Sequence, residues 1–374
     1  MSFNATRREL GELYVFFRLL ADGSMTLGAA DGFSDPAKPW PIALIQRSEH
    51  DGIRRYYIGK DISIRKGTTD PDTGEFACDP EVQHIPREDF GEAADLLLDI
   101  LKNSSADDPE VPDALEGFLN AVDIYDLEAK TEDRTDLSLV FWDNEAPVTG
   151  LCVRCRLSPM NPLLDGGRTA NLKFAQTGVK FASPTVNKIN ALPESPNEVV
   201  ERMRMIERLG GVLKYADVAD RVFRCNLQMI DLHFPRMLAE MVRLAHNEGI
   251  TQVSEVTERI KAINPLKIKD ELIKKHGFYE HKMKQFLLAL ALGMRPAKIY
   301  RGTDSAVEGM LVADKEGRIV GYHQSMRNVF ADFLYLHTRF EKGNVGKDKY
   351  GFLEKENGTY YFKLNVKIGL KFKN

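Results

Sequence analysis

An acid and a base stand at matching places on two neighbouring apolar runs. Asp136 opens the run 137–142, and Arg154 lies within the run 151–157. Both runs read as strands, joined by a segment, 143–149, of hairpin length. On the second strand Cys152, Arg154 and Arg156 share one face by period-two alternation. A carboxylate at the mouth of one strand and a fixed cation on the next can hold a divalent metal, polarise a water and offset charge growing on a phosphate. These are the needs of phosphodiester hydrolysis. The same two side chains have a purely structural use, with Asp136 as a strand-end cap and Arg154 as its buried partner. Such pairs arise by chance in many α/β proteins.

Cys152 and Cys155 form an isolated C-x-x-C, but on a strand positions three apart point to opposite faces, so a shared zinc needs a turn that the sequence lacks. Four cysteines in 374 residues do not make a disulfide scaffold and fit a reducing compartment.

The elements that must position these residues follow from periodicity. Leu10, Leu13, Tyr14, Phe17 and Leu20 recur at helical spacing, which predicts an amphipathic helix over residues 5–20. Residues 42–46, 54–58 and 62–64 read as short antiparallel strands, and 67–88 as a loop. Helices are expected at 90–101 and at 112–121, the second opened by Pro112. Beyond a Gly- and Asn-containing loop at 158–171, helical patterns at 196–209, 232–247, 253–264 and 279–292 predict a helical layer around the sheet. Strands return at 309–314, 318–321, 351–355 and 359–367, with Asn357-Gly358 as a type I′ hairpin signal. The expected organisation is an N-terminal helix and small β unit over 1–110, a core over 111–230, and a helical and C-terminal β region over 231–374.

Composition is that of a globular chain, 43% apolar and 28% charged, which excludes a disordered or fibrous protein. The most apolar stretch, 286–294, is far shorter than the roughly 20 residues of a bilayer span, and Arg7, Arg8, Glu9 and Arg18 break any leader pattern. A cytoplasmic protein is expected. The net charge of −4 conceals a segregation: residues 70–136 carry 21 acidic and 4 basic side chains, leaving the remainder at +13. A chain that is basic outside one acidic segment can offer a cationic cleft to phosphates; a solvated charged face is the blander alternative.

Several blocks carry a resemblance. The stretch 10–23, Leu-Gly-Glu-Leu-Tyr-Val-Phe-Phe-Arg-Leu-Leu-Ala-Asp-Gly, resembles the opening helix of the HpaII-type type II restriction endonucleases. Gly150 to Leu157, Leu163-Leu164-Asp165 and Thr169-Ala170-Asn171 are similar to that family's glycine-opened catalytic strand and the small-residue loop that ends in Asn. Phe278-Tyr279-Glu280, the run from Ala289 to Lys298, Tyr322-His323, Arg327-Asn328 and Lys355 to Asn365 match later blocks, in the family's order and over nearly the whole chain.

The resemblance implies a mixed α/β fold with a PD-(D/E)XK-like nuclease core and Mg²⁺-dependent cleavage of double-stranded DNA. It also implies a short recognition site, CCGG in the name-giving enzyme. A palindromic site favours a two-fold symmetric protein, so a homodimer on DNA is expected. One departure matters: where the family pattern leads to Ser-Ile-Lys, this chain reads Cys152-Val153-Arg154. Arginine keeps its charge and steadies phosphate but cannot be deprotonated. Two readings stay open, a nuclease that works with arginine and a catalytically inactive, sequence-specific DNA-binding homologue. A third, a protein-interaction subunit, is favoured only if DNA affinity is absent.

With no acid at 152, a second metal carboxylate comes from elsewhere. Glu12 is the first candidate, with Asp143 and Asp165 behind it; a solvated helix-surface charge is the alternative for Glu12. The expected metal ligands are thus Asp136 and Glu12, with Arg154 on the phosphate. Arg168, Asn171 and Lys173 are the expected DNA contacts, since Arg pairs with guanine, Asn with adenine and Lys with phosphate. Asn171 has an equal alternative as a brace for its loop. Arg327 and Asn328 form a second contact group, and Lys363, Lys367, Lys371 and Lys373 can track phosphates or line a solvated edge.

Overall fold

A computed structural model describes residues 3–70, 76–125, 127, 135–142, 148–302 and 306–372. The chain forms two compact units, each assembled from separated stretches of sequence. The first comprises Met1–Asn161, Ala291–Gly293 and Ser305–Phe330, and the second Pro162–Leu290, Met294–Asp304 and Ala331–Asn374.

The first unit is built around the helix Arg7–Asp22. Thr6 accepts the Glu9 amide on its side chain while Glu9 takes back the Thr6 amide at 2.7 Å, a capping box that fixes the start. Gly23, at φ 63°, closes the end in the left-handed conformation that glycine adopts without penalty. The predicted stripe is buried, but so are Val15, Phe16 and Leu19. The helix is covered on several sides, by the helix Arg87–Asn103 and by the strand Thr149–Cys155 among others. Phe17 meets Phe90 and Phe118 edge-on, each at 5.5 Å.

Among the described residues nine strands of this unit form one sheet. Their order is Ser24–Gly28, Ile319–His323, Val307–Ala313, Thr149–Cys155, Leu137–Phe141, Ser34–Glu49, Gly52–Ile58, Asp61–Thr69 and Phe76–Pro86. Ser24–Gly28 also pairs with Ser34–Glu49, so the first six strands close on themselves and the last three extend as an antiparallel meander. The expected strand pair is present, antiparallel with Leu137 opposite Leu151. Thr149–Cys155 has a parallel neighbour on its other side, Val307–Ala313, and six of its seven residues are buried, as befits an inner strand covered on both faces. Gly150 permits this packing, since a Cβ there would lie 2.1 Å from the Ala306 carbonyl oxygen.

The loop expected over 67–88 is corrected: Asp61–Thr69 runs further than the pattern suggested, and Phe76–Pro86 is a strand. Its side chains are mostly exposed, so no apolar alternation marks it.

The second unit has its own sheet, antiparallel throughout, in the order Gly211–Val218, Asn171–Gly178, Thr359–Asn365, Leu353–Glu356. Asn357 and Gly358 both take positive φ, as the hairpin signal required. The helices Glu198–Arg208, Arg221–Ile230 and Phe234–Glu248 pack on Gly211–Val218. Two of the helices expected in a layer, those at 196–209 and 232–247, therefore pack on this second sheet. A smaller sheet joins Leu164–Asp165, Lys367–Leu370 and Thr338–Glu341.

Candidate active site

The first unit gathers three sequence candidates around one small cavity. Glu12, Asp136 and Arg154 line a space of about 20 Å³ together with Arg8, Val153, Cys155 and Ser158. That volume holds about one water or one small ion. Glu12 belongs to the helix Arg7–Asp22 and is 6% exposed, so it is not the solvated surface charge that an isolated glutamate on a helix usually is.

Gly11 explains how the helix comes so close. A Cβ at this position would sit 3.0 Å from both the Cys155 Cβ and the Ser158 Oγ. Glycine inside a helix costs about 1 kcal/mol against alanine; here it admits the strand and sets Glu12 beside the cavity.

Asp136 precedes its strand, and its amide donates to the Leu151 carbonyl at 3.0 Å. Its Oδ2 accepts the Val153 N–H at 2.6 Å and stands 3.9 Å from Arg154 Nη1. That separation makes an ion pair without a hydrogen bond. Arg154 Nη1 donates instead to the Val153 carbonyl, at 2.7 Å. The arrangement therefore contains the strand-end contact and also sets two buried or half-buried carboxylates and a guanidinium on one cavity.

Arg8 was not among the sequence candidates. It lies one helical turn before Glu12, on the same face, and the i, i+4 spacing was the available signal. Its guanidinium also meets the Asn161 side chain, 3.4 Å away.

The donor set suits a hard cation. Mg²⁺ is commonly held by one or two carboxylates, with waters and substrate phosphate completing its shell, and Glu12 and Asp136 supply oxygen donors only. Among the described residues no three His, Cys, Asp or Glu side chains gather as a metal cluster. Cys152 and Cys155 are buried, and burial raises the Cys155 thiol pKa above its ordinary value, which disfavours the thiolate a zinc needs.

A family model described as the HpaII restriction endonuclease matches residues 6–370. The chain belongs to that family. It is 29% identical over 372 residues, 98% of each chain, to the type II restriction enzyme HpaII of Haemophilus parainfluenzae. No solved structure matches it. The family match covers the helix that carries Glu12 and both strands of the candidate site.

The residues considered for DNA contact in this restriction-endonuclease chain fall elsewhere. Arg168, Asn171 and Lys173 belong to the second unit. Asn171 is 2% exposed; its Nδ2 donates to the Asp348 and Lys349 carbonyls at 2.8 and 3.3 Å, and its Oδ1 accepts from Asn365 at 2.8 Å. Lys173 pairs with Glu356 and lies 4.5 Å above the Tyr361 ring. Arg168 is exposed, and its Nε donates to the Lys347 carbonyl at 3.2 Å.

Arg327 and Asn328 are exposed at the start of the helix Arg327–Leu336. Asp165 pairs with Lys367 at 2.8 Å, Lys363 with Glu354, and Lys371 is exposed. Asp143 and Lys373 lie outside the described residues. No helix of the described residues is long and apolar enough to cross a membrane.

Proposed function

We propose that the protein is a type II restriction endonuclease that hydrolyses double-stranded DNA at a short palindromic site, CCGG or a relative of it. On this reading its core is of the PD-(D/E)XK type and it acts as a homodimer on DNA. The observation that carries the chemistry is the shared cavity of Glu12, Asp136 and Arg154 in a chain whose residues 6–370 match a restriction-endonuclease family.

Glu12 and Asp136 would hold Mg²⁺, which when bound supplies a water nucleophile at neutral pH and a counter-charge for the phosphate. The Val153 N–H orients the Asp136 carboxylate. Arg154, anchored on the Val153 carbonyl, stabilises the negative charge that grows on the scissile phosphate, and Arg8 adds a second cation at the same wall. A fixed guanidinium cannot serve as a base, so the proton of the attacking water passes to solvent or to DNA phosphate.

The second reading, a DNA-binding homologue that no longer cuts, is favoured by one observation, arginine at position 154 where the family pattern leads to lysine. Digestion of unmethylated plasmid with Mg²⁺, followed by sequencing of the fragment ends, separates the two. The nuclease reading expects every end to map to one short palindrome. Intact plasmid, with a folded protein bound to it, selects the second reading.

A further inference from the structure

The segment 342–351 of the second unit is pinned by the buried Tyr350 and by a set of hydrogen bonds. Lys342, Gly343, Asn344, Val345, Gly346 and Tyr350 line one wall of a cavity of about 510 Å³. Its backbone shape is also set by a chain of polar contacts. The Asn344 Oδ1 accepts the Lys347 amide and the Asp348 Oδ2 accepts the Asn344 amide, each at 2.8 Å. Tyr350 donates its hydroxyl to the Gly343 carbonyl at 2.9 Å. From below, the buried Asn171 holds the carbonyls of Asp348 and Lys349, and Asn365 holds Asn171 in turn while donating to the Gly167 carbonyl at 2.7 Å.

What this frame presents outward is positive. Lys347 and Lys349 are exposed, and neither ammonium has a hydrogen-bond or ion-pair partner among the described residues. Lys349 sits at φ 53°, a left-handed conformation that a residue with a Cβ adopts only where its surroundings over-determine it. Here the grip of Asn171 on its carbonyl does so. Arg168 adds a third cation, tied by its Nε to the Lys347 carbonyl. The acid of the segment, Asp348, is 5% exposed and spent on the Asn344 amide, so it does not neutralise the outer face.

We infer that this strap is a contact surface for the phosphates of duplex DNA. Lys347, Lys349 and Arg168 are its cations, and Asn171 and Asn365 are positioning residues that never touch the nucleic acid. The inference rests on the DNA-cutting reading above and deepens it. Three fixed or exposed cations on a rigid backbone fit phosphate oxygens, which carry affinity and register without base sequence.

The test is fluorescence anisotropy of a labelled duplex against rising salt, with wild type beside Lys347→Ala, Lys349→Ala and the double variant. Both side chains are exposed, so the variants should keep the wild-type Tm. The slope of log affinity against log salt should become shallower by about 0.9 for each lysine and about 1.8 for the pair, equally on the preferred site and on random duplex. Asn171→Ala should flatten the slope by itself yet flatten it no further where Lys347, Lys349 and Arg168 are all replaced by alanine, because all act through the same contacts.

An unchanged slope in the double-lysine variant overturns the inference while leaving the nuclease reading intact. A further flattening by Asn171→Ala in the background that lacks all three cations overturns the positioning role. Wild type without salt-dependent binding to duplex DNA overturns the nuclease reading and this inference with it.

Discussion

Two arginine–carboxylate pairs in this protein are alike in residue type and opposite in setting. In the second unit Arg202 meets Glu198 at 2.7 Å, donates to the Gly351 and Leu192 carbonyls at 3.3 and 3.2 Å, and lies 4.2 Å over the Phe352 ring. Its guanidinium is closed in by the fold, although it borders the larger cavity of about 510 Å³. In the first unit Arg154 stands 3.9 Å from Asp136, too far for a hydrogen bond, beside a cavity of about 20 Å³ that Glu12 also lines. Chemistry is expected where the charges are brought together without being closed on each other. Cavity size is a poor guide to it here, since the small cavity carries the acid pair, while on the wall of the large one Arg202 is held by Glu198 and two backbone carbonyls.

The comparison breaks most sharply at the acids. Asp136→Asn keeps an acceptor for the Val153 N–H but loses the charge, and a lost metal carboxylate should lower the single-turnover cleavage rate by roughly 10³ to 10⁴, about 4 to 5.5 kcal/mol in barrier. Duplex affinity, read by anisotropy without metal, should hold or rise. A rate within tenfold of wild type removes Asp136 from the chemistry.

Arg202→Met should do the reverse. Leaving Glu198 unpaired beside the protein interior costs about 3 to 5 kcal/mol of stability, seen in denaturant midpoints, while the rate per folded molecule stays at the wild-type value. A stable Arg202→Met variant that cuts poorly would interchange the two roles.

A smaller effect concerns pH. His246, on the wall of the large cavity, has its pKa pushed down to about 4 by burial and by Lys342. Between about 6.5 and 4 the unfolded chain binds a proton that the folded chain refuses, so stability is full above that window and falls as pH drops through it. From pH 7 to pH 5 the loss should reach up to about 2 kcal/mol, and His246→Gln should flatten the dependence over that interval. An unchanged pH profile in His246→Gln would mean that the imidazole titrates normally.

Much of the first unit was legible in the sequence. The stripe Leu10, Leu13, Tyr14, Phe17, Leu20 fixed the opening helix, and the two apolar runs after Asp136 and around Arg154 fixed the strand pair. Phe76–Pro86 escaped because an exposed outer strand carries no alternating burial. The approach of Glu12 to Asp136 depends on Gly11, whose need for close packing appears only when Cys155 and Ser158 face it. Asn171 sits where sequence order suggested a base contact, yet its partners at 348 and 349 are 177 and 178 residues away, a separation that local pattern does not carry. The +13 balance outside residues 70–136 likewise gave a sign but no positions, and Lys347 and Lys349 stand out only because Asp348 between them is buried.

On the proposed reading the cavity of Glu12, Asp136 and Arg154 cuts DNA with arginine in the cationic role. The direct measurement is single-turnover cleavage of the protein's preferred unmethylated duplex, wild type beside Arg154→Lys, in Mg²⁺ and in Mn²⁺. Wild type is expected to cut both strands at a fixed position, and Arg154→Lys to cut at the same position at a rate within about tenfold, since the positive charge is conserved and only its shape changes. A wild type that is folded and bound yet leaves the duplex intact with both metals contradicts it, all the more if Arg154→Lys then cuts.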